Sequence, residues 1–205
     1  MKQPIRILIV DDHAVLRMGL TSLLNTKAEF KVVCDAETGE EALAKYARHR
    51  PDVVLMDLLI PGMNGVEITK RIRAEDPSAR ILILTTFTTS TGIAAALEAG
   101  AKGALLKSSP FKEITLAIKE TFAGRPYIAG EITRILAEDP PIKPLTPRQH
   151  AILKELVRGL SNADIARELS ISEDVVKEHV IAILARLDAA NRTEAVSIAH
   201  RHLLV

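Results

Sequence analysis

The feature that most narrows the fold is a set of five short apolar runs spread over the first 124 residues. They are IRILIV (5–10), FKVVC (30–34), VVLM (53–56), ILIL (81–84) and GALL (103–106). Each is rich in β-branched residues or Leu and shows almost no alternation, the pattern of strands covered on both faces. Between and after them lie helix-like stretches near 13–27, 39–49, 65–75, 91–99 and 111–124. Regular strand–helix alternation predicts an α/β, doubly wound, parallel five-stranded sheet with helices on both faces. In such a sheet ligands gather beyond the carboxyl ends of the strands.

The texture changes after residue 124. Residues 125–144 carry several prolines and one short helical piece near 131–137. Pro140, Pro141 and Pro144 block a continuous helix, so 125–144 reads as a semi-rigid linker between a first domain, 1–124, and a second, 145–205. The second domain reads as all-α with about four helices. Thr146-Pro147-Arg148-Gln149 offers a capping box with Pro at the first helical position. Ser161, Ser172 and Asn191 are further N-cap candidates.

Composition excludes several function classes. Aromatic residues make up 3% of the 205 residues and Trp is absent, which rules out an aromatic stacking surface. One cysteine rules out a disulfide scaffold or a Cys-based zinc site and fits a reducing, cytoplasmic compartment. No apolar run approaches the roughly 18 residues of a membrane span, and the run at 5–10 is too short for a signal peptide, so no membrane partner is expected. The net charge of +1 gives no bulk electrostatic footprint for nucleic acid.

Strand ends carry the chemistry. Asp11 and Asp12 follow the first run, Asp57 the third and Thr85 the fourth, while Lys107 ends the fifth, so all five belong to one edge of the sheet. Carboxylates gathered this closely repel one another unless a cation compensates, and Mg²⁺ suits a few carboxylates plus water. Beside a metal and an ammonium group, one carboxylate can attack a phosphoryl group, with Thr85 and Lys107 stabilising its oxygens. Asp57 is the candidate nucleophile, because Asp11 and Asp12 form the pair better placed to hold metal. Singly, each is an ordinary polar strand-end residue; five at matching ends favour function.

Residues 5–124 resemble the receiver domain of two-component response regulators. The resemblance rests on Ile9-Val10-Asp11-Asp12-His13, on Asp57 followed by Leu59, Pro61, Gly62, Met63 and Gly65, on Leu84-Thr85-Thr86, and on Glu98, Gly100, Gly103 and Lys107. It implies phosphorylation of Asp57 by a sensor histidine kinase. It also implies Mg²⁺ held by Asp12 and Asp57, helped by Asp11 and the Leu59 backbone carbonyl. Departures are Ala104 where the family often has a switch aromatic, Thr86 for a small Ala, and Ser108 for a frequent Pro. Leu59 and Phe87 flank the site and are expected to shield an acyl phosphate from water. An aspartyl-phosphate phosphatase would carry a second Asp two residues past its nucleophile, where this chain has Leu59.

Residues 145–197 are similar to the LuxR/FixJ-type helix-turn-helix module, through Leu145-Thr146-Pro147-Arg148, Gly159-Leu160-Ser161-Asn162, Ile165-Ala166, Val176-Lys177, His179, Arg186-Leu187 and Asn191-Arg192. A receiver followed by this module defines the NarL/FixJ subfamily, and the resemblance implies a phosphorylation-activated regulator that binds double-stranded promoter DNA as a homodimer. It implies no enzyme beyond phosphoryl acceptance and slow loss. Lys177, Glu178 and Ile181 would face bases with Val176 and His179 nearby, Ser172 and Arg192 would touch phosphates, and Ala195, Val196 and Ala199 would contact a second copy. The alternatives are exposed helix residues for the former and core packing for the latter. Yet the stretch 173–187 sets Lys177 and Arg186 against Glu173, Asp174 and Glu178, Val175 replaces the usual Thr, and Asp188 a common Gly. Together with Ala104, that keeps open an atypical regulator acting through protein partners or without phosphorylation, with weakened DNA binding. His200 and His202 are too differently directed for a metal site, and Cys34 reads as buried.

Overall fold

A computed structural model describes residues 3–86, 90–139, 141–202 and 204–205. The chain divides into two compact units, Met1–Asp139 and Pro140–Val205. Among the described residues no helix is long and apolar enough to cross a membrane.

The first unit alternates strands and helices as the apolar runs require: β1 (Ile5–Val10), α1 (Ala14–Asn25), β2 (Phe30–Ala36), α2 (Gly39–His49), β3 (Val53–Met56), α3 (Gly65–Glu75), β4 (Ile81–Thr85), α4 (Ser90–Glu98), β5 (Gly103–Leu106), α5 (Phe111–Phe122), β6 (Tyr127–Ile128) and α6 (Gly130–Glu138). All strand pairs are parallel, in the order β2-β1-β3-β4-β5-β6. β1, β3, β4 and β5 are buried almost throughout, which explains why their sequences lack alternation.

The edges depart from expectation. The sheet has six strands rather than five, because Tyr127 and Ile128 pair with Gly103 and Ala104 on β5. Ala129 N–H donates to the Ala104 carbonyl at 3.0 Å, and Ile132 of α6 is fully buried as α6 packs on β5 and α4. Residues 125–139, expected as linker, are therefore strand and helix of the first unit. β2 is the opposite edge and is only partly covered, so Cys34 is half-buried rather than buried. Burial still raises its thiol pKa.

The second unit is α7 (Pro147–Val157), α8 (Asn162–Glu168), α9 (Glu173–Leu187) and α10 (Arg192–Arg201). Its local signals are realised. Gln149 N–H donates to Thr146 Oγ1 at 3.2 Å and Thr146 N–H to Gln149 Oε1 at 3.0 Å, closing the capping box. Ser161, Ser172 and Asn191 cap the next three helices. Ile152, Leu156, Ile165, Val176, Ile183 and Leu187 form the centre of its core.

Candidate functional site

Register builds the acidic pocket. Val10 pairs with Met56 on one side and Ala36 on the other, so the next residues, Asp11 and Asp57, emerge side by side at the strand ends. Thr85 pairs with Leu106, which places Lys107 one residue beyond it. The sequence-predicted residues Asp11, Asp57, Thr85 and Lys107 thus reach one edge. Asp11, Asp57 and Thr85 are buried at 2%, 1% and 0% exposure.

Lys107 Nζ lies 2.7 Å from Asp57 Oδ2 and 2.7 Å from Asp11 Oδ2, with its side chain almost wholly covered. Burial alone would lower the Lys107 pKa, but hydrogen bonds to the two carboxylates outweigh it and leave the pKa raised. The other Asp57 oxygen, Oδ1, accepts from the Leu58 amide at 2.7 Å. Gly65, opening α3, crosses so close that a Cβ would collide with the Asp57 carbonyl oxygen. Gly62 turns the intervening loop at φ +81°. Leu59 is exposed at this rim, whereas Phe87 lies outside the described residues. No cis peptide occurs among the described residues, in keeping with Ser108 rather than Pro after Lys107.

Asp12 sits on the solvent side of the pair, and oxygens of Asp11, Asp12 and Asp57 with a nitrogen of His13 lie within 4.8 Å of one another. Three carboxylates face one ammonium group, an oxygen-rich excess of negative charge that fits a hard divalent cation with water completing its shell. Two contributors had no assigned role in the sequence reading. His13 Nδ1 lies 2.6 Å from Asp12 Oδ1 and 3.1 Å from Asp11 Oδ1. Arg17 Nη1 donates to the Asp11 carbonyl at 2.7 Å. The signal for both was spacing, since a helix starting just after the Asp pair brings its first turn back over the strand end.

The second unit gives a different picture. Lys177 on α9 is exposed, yet its ammonium lies 3.3 Å from both Glu173 Oε1 and Asp174 Oδ1, and those hydrogen bonds raise its pKa. Glu178 and Ile181 are exposed and His179 is half-buried. Ser172 Oγ accepts from the Val175 amide as the α9 cap, and an Arg192 NH₂ group donates to the Leu160 carbonyl. Val176, expected near the bases, is fully buried in the domain core instead. Ala195 and Ala199, expected to meet a second copy, are also fully buried among their own unit's side chains, leaving Val196 half-buried. An alanine with no exposed surface cannot offer area to a partner. Leu203 lies outside the described residues. His200 Nδ1 is engaged with the Val196 carbonyl at 2.9 Å, and no metal cluster includes it among the described residues.

Comparison with known proteins agrees with both halves. Residues 7–119 match the response regulator receiver domain, and residues 143–199 match the bacterial regulatory proteins of the luxR family. The response regulator protein VraR of Staphylococcus aureus is 36% identical over 206 residues, covering 98% of this chain and 99% of that one. The crystal structure of response regulator ChrA from a heme-sensing two-component system aligns over 100% of both chains, at 37% identity and a TM-score of 0.60. A LuxR-family response regulator from Aurantimonas sp. shares 40% identity at a TM-score of 0.63, covering 66% of this chain and 96% of that one. An acidic strand-end pocket on a receiver fold, followed by a luxR-family helical unit, places this chain among the two-component response regulators, whose relatives act as transcription regulators.

Proposed function

We propose that this chain is a cytoplasmic, phosphorylation-activated transcriptional regulator that takes a phosphoryl group from a sensor histidine kinase onto Asp57 and then binds promoter DNA as a homodimer. The observation that carries this reading is the Lys107 ammonium at 2.7 Å from both Asp11 and Asp57, at a strand edge shared with Thr85. Asp57 Oδ2 is the attacking atom. It forms an O–P bond as the phosphohistidine P–N bond breaks, and the departing imidazole nitrogen keeps the electron pair and takes a proton from solvent. Lys107 then pairs with a phosphoryl oxygen, and the Thr85 hydroxyl donates to another.

Asp11, Asp12 and Asp57, with the Leu59 carbonyl, would hold Mg²⁺, which supplies charge neutralisation at the phosphoryl oxygens. His13 engages one Asp12 oxygen, Oδ1, so Asp12 would ligate through the other or exchange His13 for the cation. Phosphoryl acceptance and slow loss at Asp57 are the chain's own chemistry. On the helical unit, Lys177, Glu178, His179 and Ile181 present the base-reading face, and Ser172 and Arg192 lie toward phosphates. RcsB from Salmonella enterica serovar Typhimurium, 21% identical with a TM-score of 0.69, has been captured bound to a promoter in the presence of the phosphomimetic BeF₃⁻. At that identity it supports the fold.

The test is intact-mass measurement of phosphoryl loading from acetyl phosphate with Mg²⁺, on wild type and Asp57→Asn, with size-exclusion chromatography of the same samples. Phosphoryl mass gained by wild type alone, with a shift to dimer, is expected; equal loading of the variant would sink the assignment. A second reading, a regulator acting through protein partners with weakened DNA binding, is favoured by the acid pair that engages Lys177. A gel shift with promoter fragments separates the two.

A further inference from the structure

We propose that Arg17 is a positioning residue for the acidic pocket, fixing the backbone of Asp11 so that Asp11 and Asp12 converge on a divalent cation. The inference rests on the reading of that pocket as a cation and phosphoryl site.

Arg17 stands on the first turns of α1, yet only 11% of its side chain is exposed. Its three nitrogens find three acceptors on two stretches of chain, the end of β1 and the end of β2. Nη1 donates to the Asp11 carbonyl at 2.7 Å, Nε to Asp35 Oδ2 at 2.9 Å, and Nη2 to Glu37 Oε2 at 3.3 Å. On the other side of the same residue, the Asp11 amide donates to the Ala36 carbonyl at 3.0 Å. The Asp11 peptide groups are thus gripped from both directions, at the point where β1 ends and the two carboxylates begin.

The partners of the grip explain its form. Asp35 and Glu37 are about half exposed, and exposed carboxylates gain little from an ion pair. Their effect is to orient the guanidinium, whose rigid planar fork holds its acceptors in fixed directions, as the compact, freely rotating ammonium of a lysine does not. Groups that hold metal ligands in place from behind typically cost tenfold to a hundredfold in affinity when lost. Charge works in the opposite direction. Deleting a cation beside three carboxylates would, by itself, tighten Mg²⁺ binding. The sign of the change therefore separates positioning from charge.

The experiment is an isothermal calorimetric titration of Mg²⁺ into the full unphosphorylated chain, for wild type, Arg17→Lys, Arg17→Gln and Asp35→Asn, with thermal melts alongside. Arg17→Lys keeps the charge and loses the fork, so Mg²⁺ affinity should fall about tenfold, and Asp35→Asn should weaken it less. Acetyl phosphate loading of Arg17→Lys should need correspondingly more Mg²⁺ and recover near the wild-type rate at saturation. Wild-type or tighter Mg²⁺ binding in Arg17→Lys or Arg17→Gln overturns the proposal, and Arg17→Lys, which keeps the charge, keeps that test available if Arg17→Gln does not fold. A wild type that binds no Mg²⁺, or an Asp57→Asn variant that loads as well as wild type, fails the pocket reading itself and takes the proposal with it.

Discussion

The two units handle charge in opposite ways. In the first, Asp11, Asp57 and Lys107 come from three strands distant in sequence and are pressed together almost without solvent. In the second, Glu173, Asp174 and Lys177 are neighbours on one helix face and remain in water. Buried pairs assembled by topology are intolerant of losing a member, because the partner left behind stays desolvated. Exposed pairs one helical turn apart are weak and exchangeable. One region concentrates charge out of water; the other pairs it off in water.

The largest effect should come from breaking the buried set. Lys107→Met removes the ammonium shared by two buried carboxylates and should cost about 3–5 kcal/mol in urea unfolding without divalent cations, with added Mg²⁺ recovering part of it. Its pH dependence has a definite sign. The folded pKa of Lys107 is raised, so its contribution is complete below the ordinary lysine value and is lost only as pH climbs through the raised one. The difference between wild type and variant should therefore stay flat from about pH 6 to 9; a steep fall within that range would contradict the raised pKa.

Next in size is Gly65→Ala, whose added carbon meets the Asp57 carbonyl oxygen. Backbone must move, at a cost of about 1–3 kcal/mol or more, and phosphoryl loading should fall with it. Equal stability and loading in the variant would show that the β3–α3 junction gives freely.

The exposed side of the comparison calls for smaller changes. Glu173→Gln combined with Asp174→Asn frees Lys177, so nonspecific DNA affinity should rise. The log–log salt slope should steepen by about one phosphate contact, near 0.9. An unchanged slope in a filter-binding titration would mean that Lys177 does not reach the backbone. The smallest effect is expected at Asp188, which ends α9 at φ +51°. Asp188→Gly removes that strain but loosens the unfolded chain, so the two should cancel to within about 0.5 kcal/mol by urea denaturation.

What could be read from the sequence follows the same division. Central strands declare themselves because both faces are buried, and their ends then place Asp11, Asp57, Thr85 and Lys107 together. β6 escapes such reading: two residues, Tyr127 and the exposed Ile128, carry no period and pair only because β5 has an open edge. On α10, an apolar face looks identical whether it packs on its own domain or on a second copy, so Ala195 and Ala199 could be placed only by their burial. Val176 is a similar case, one apolar residue beside polar ones whose direction depends on where α7 and α8 lie. His13 and Arg17 were visible as letters but not as contacts, since their roles require the path of α1 over the strand end.

The Ser90 amide and hydroxyl both donate to the Asp139 carboxylate, at 3.4 and 3.0 Å, so the last residue of the first unit caps the helix that follows β4. A fragment cut at residue 124 would lose that cap and the β6 strand, baring the amide and carbonyl groups of β5 as a template for aggregation. The compact unit runs to Asp139, so a fragment that ends there should melt higher than one that ends at residue 124.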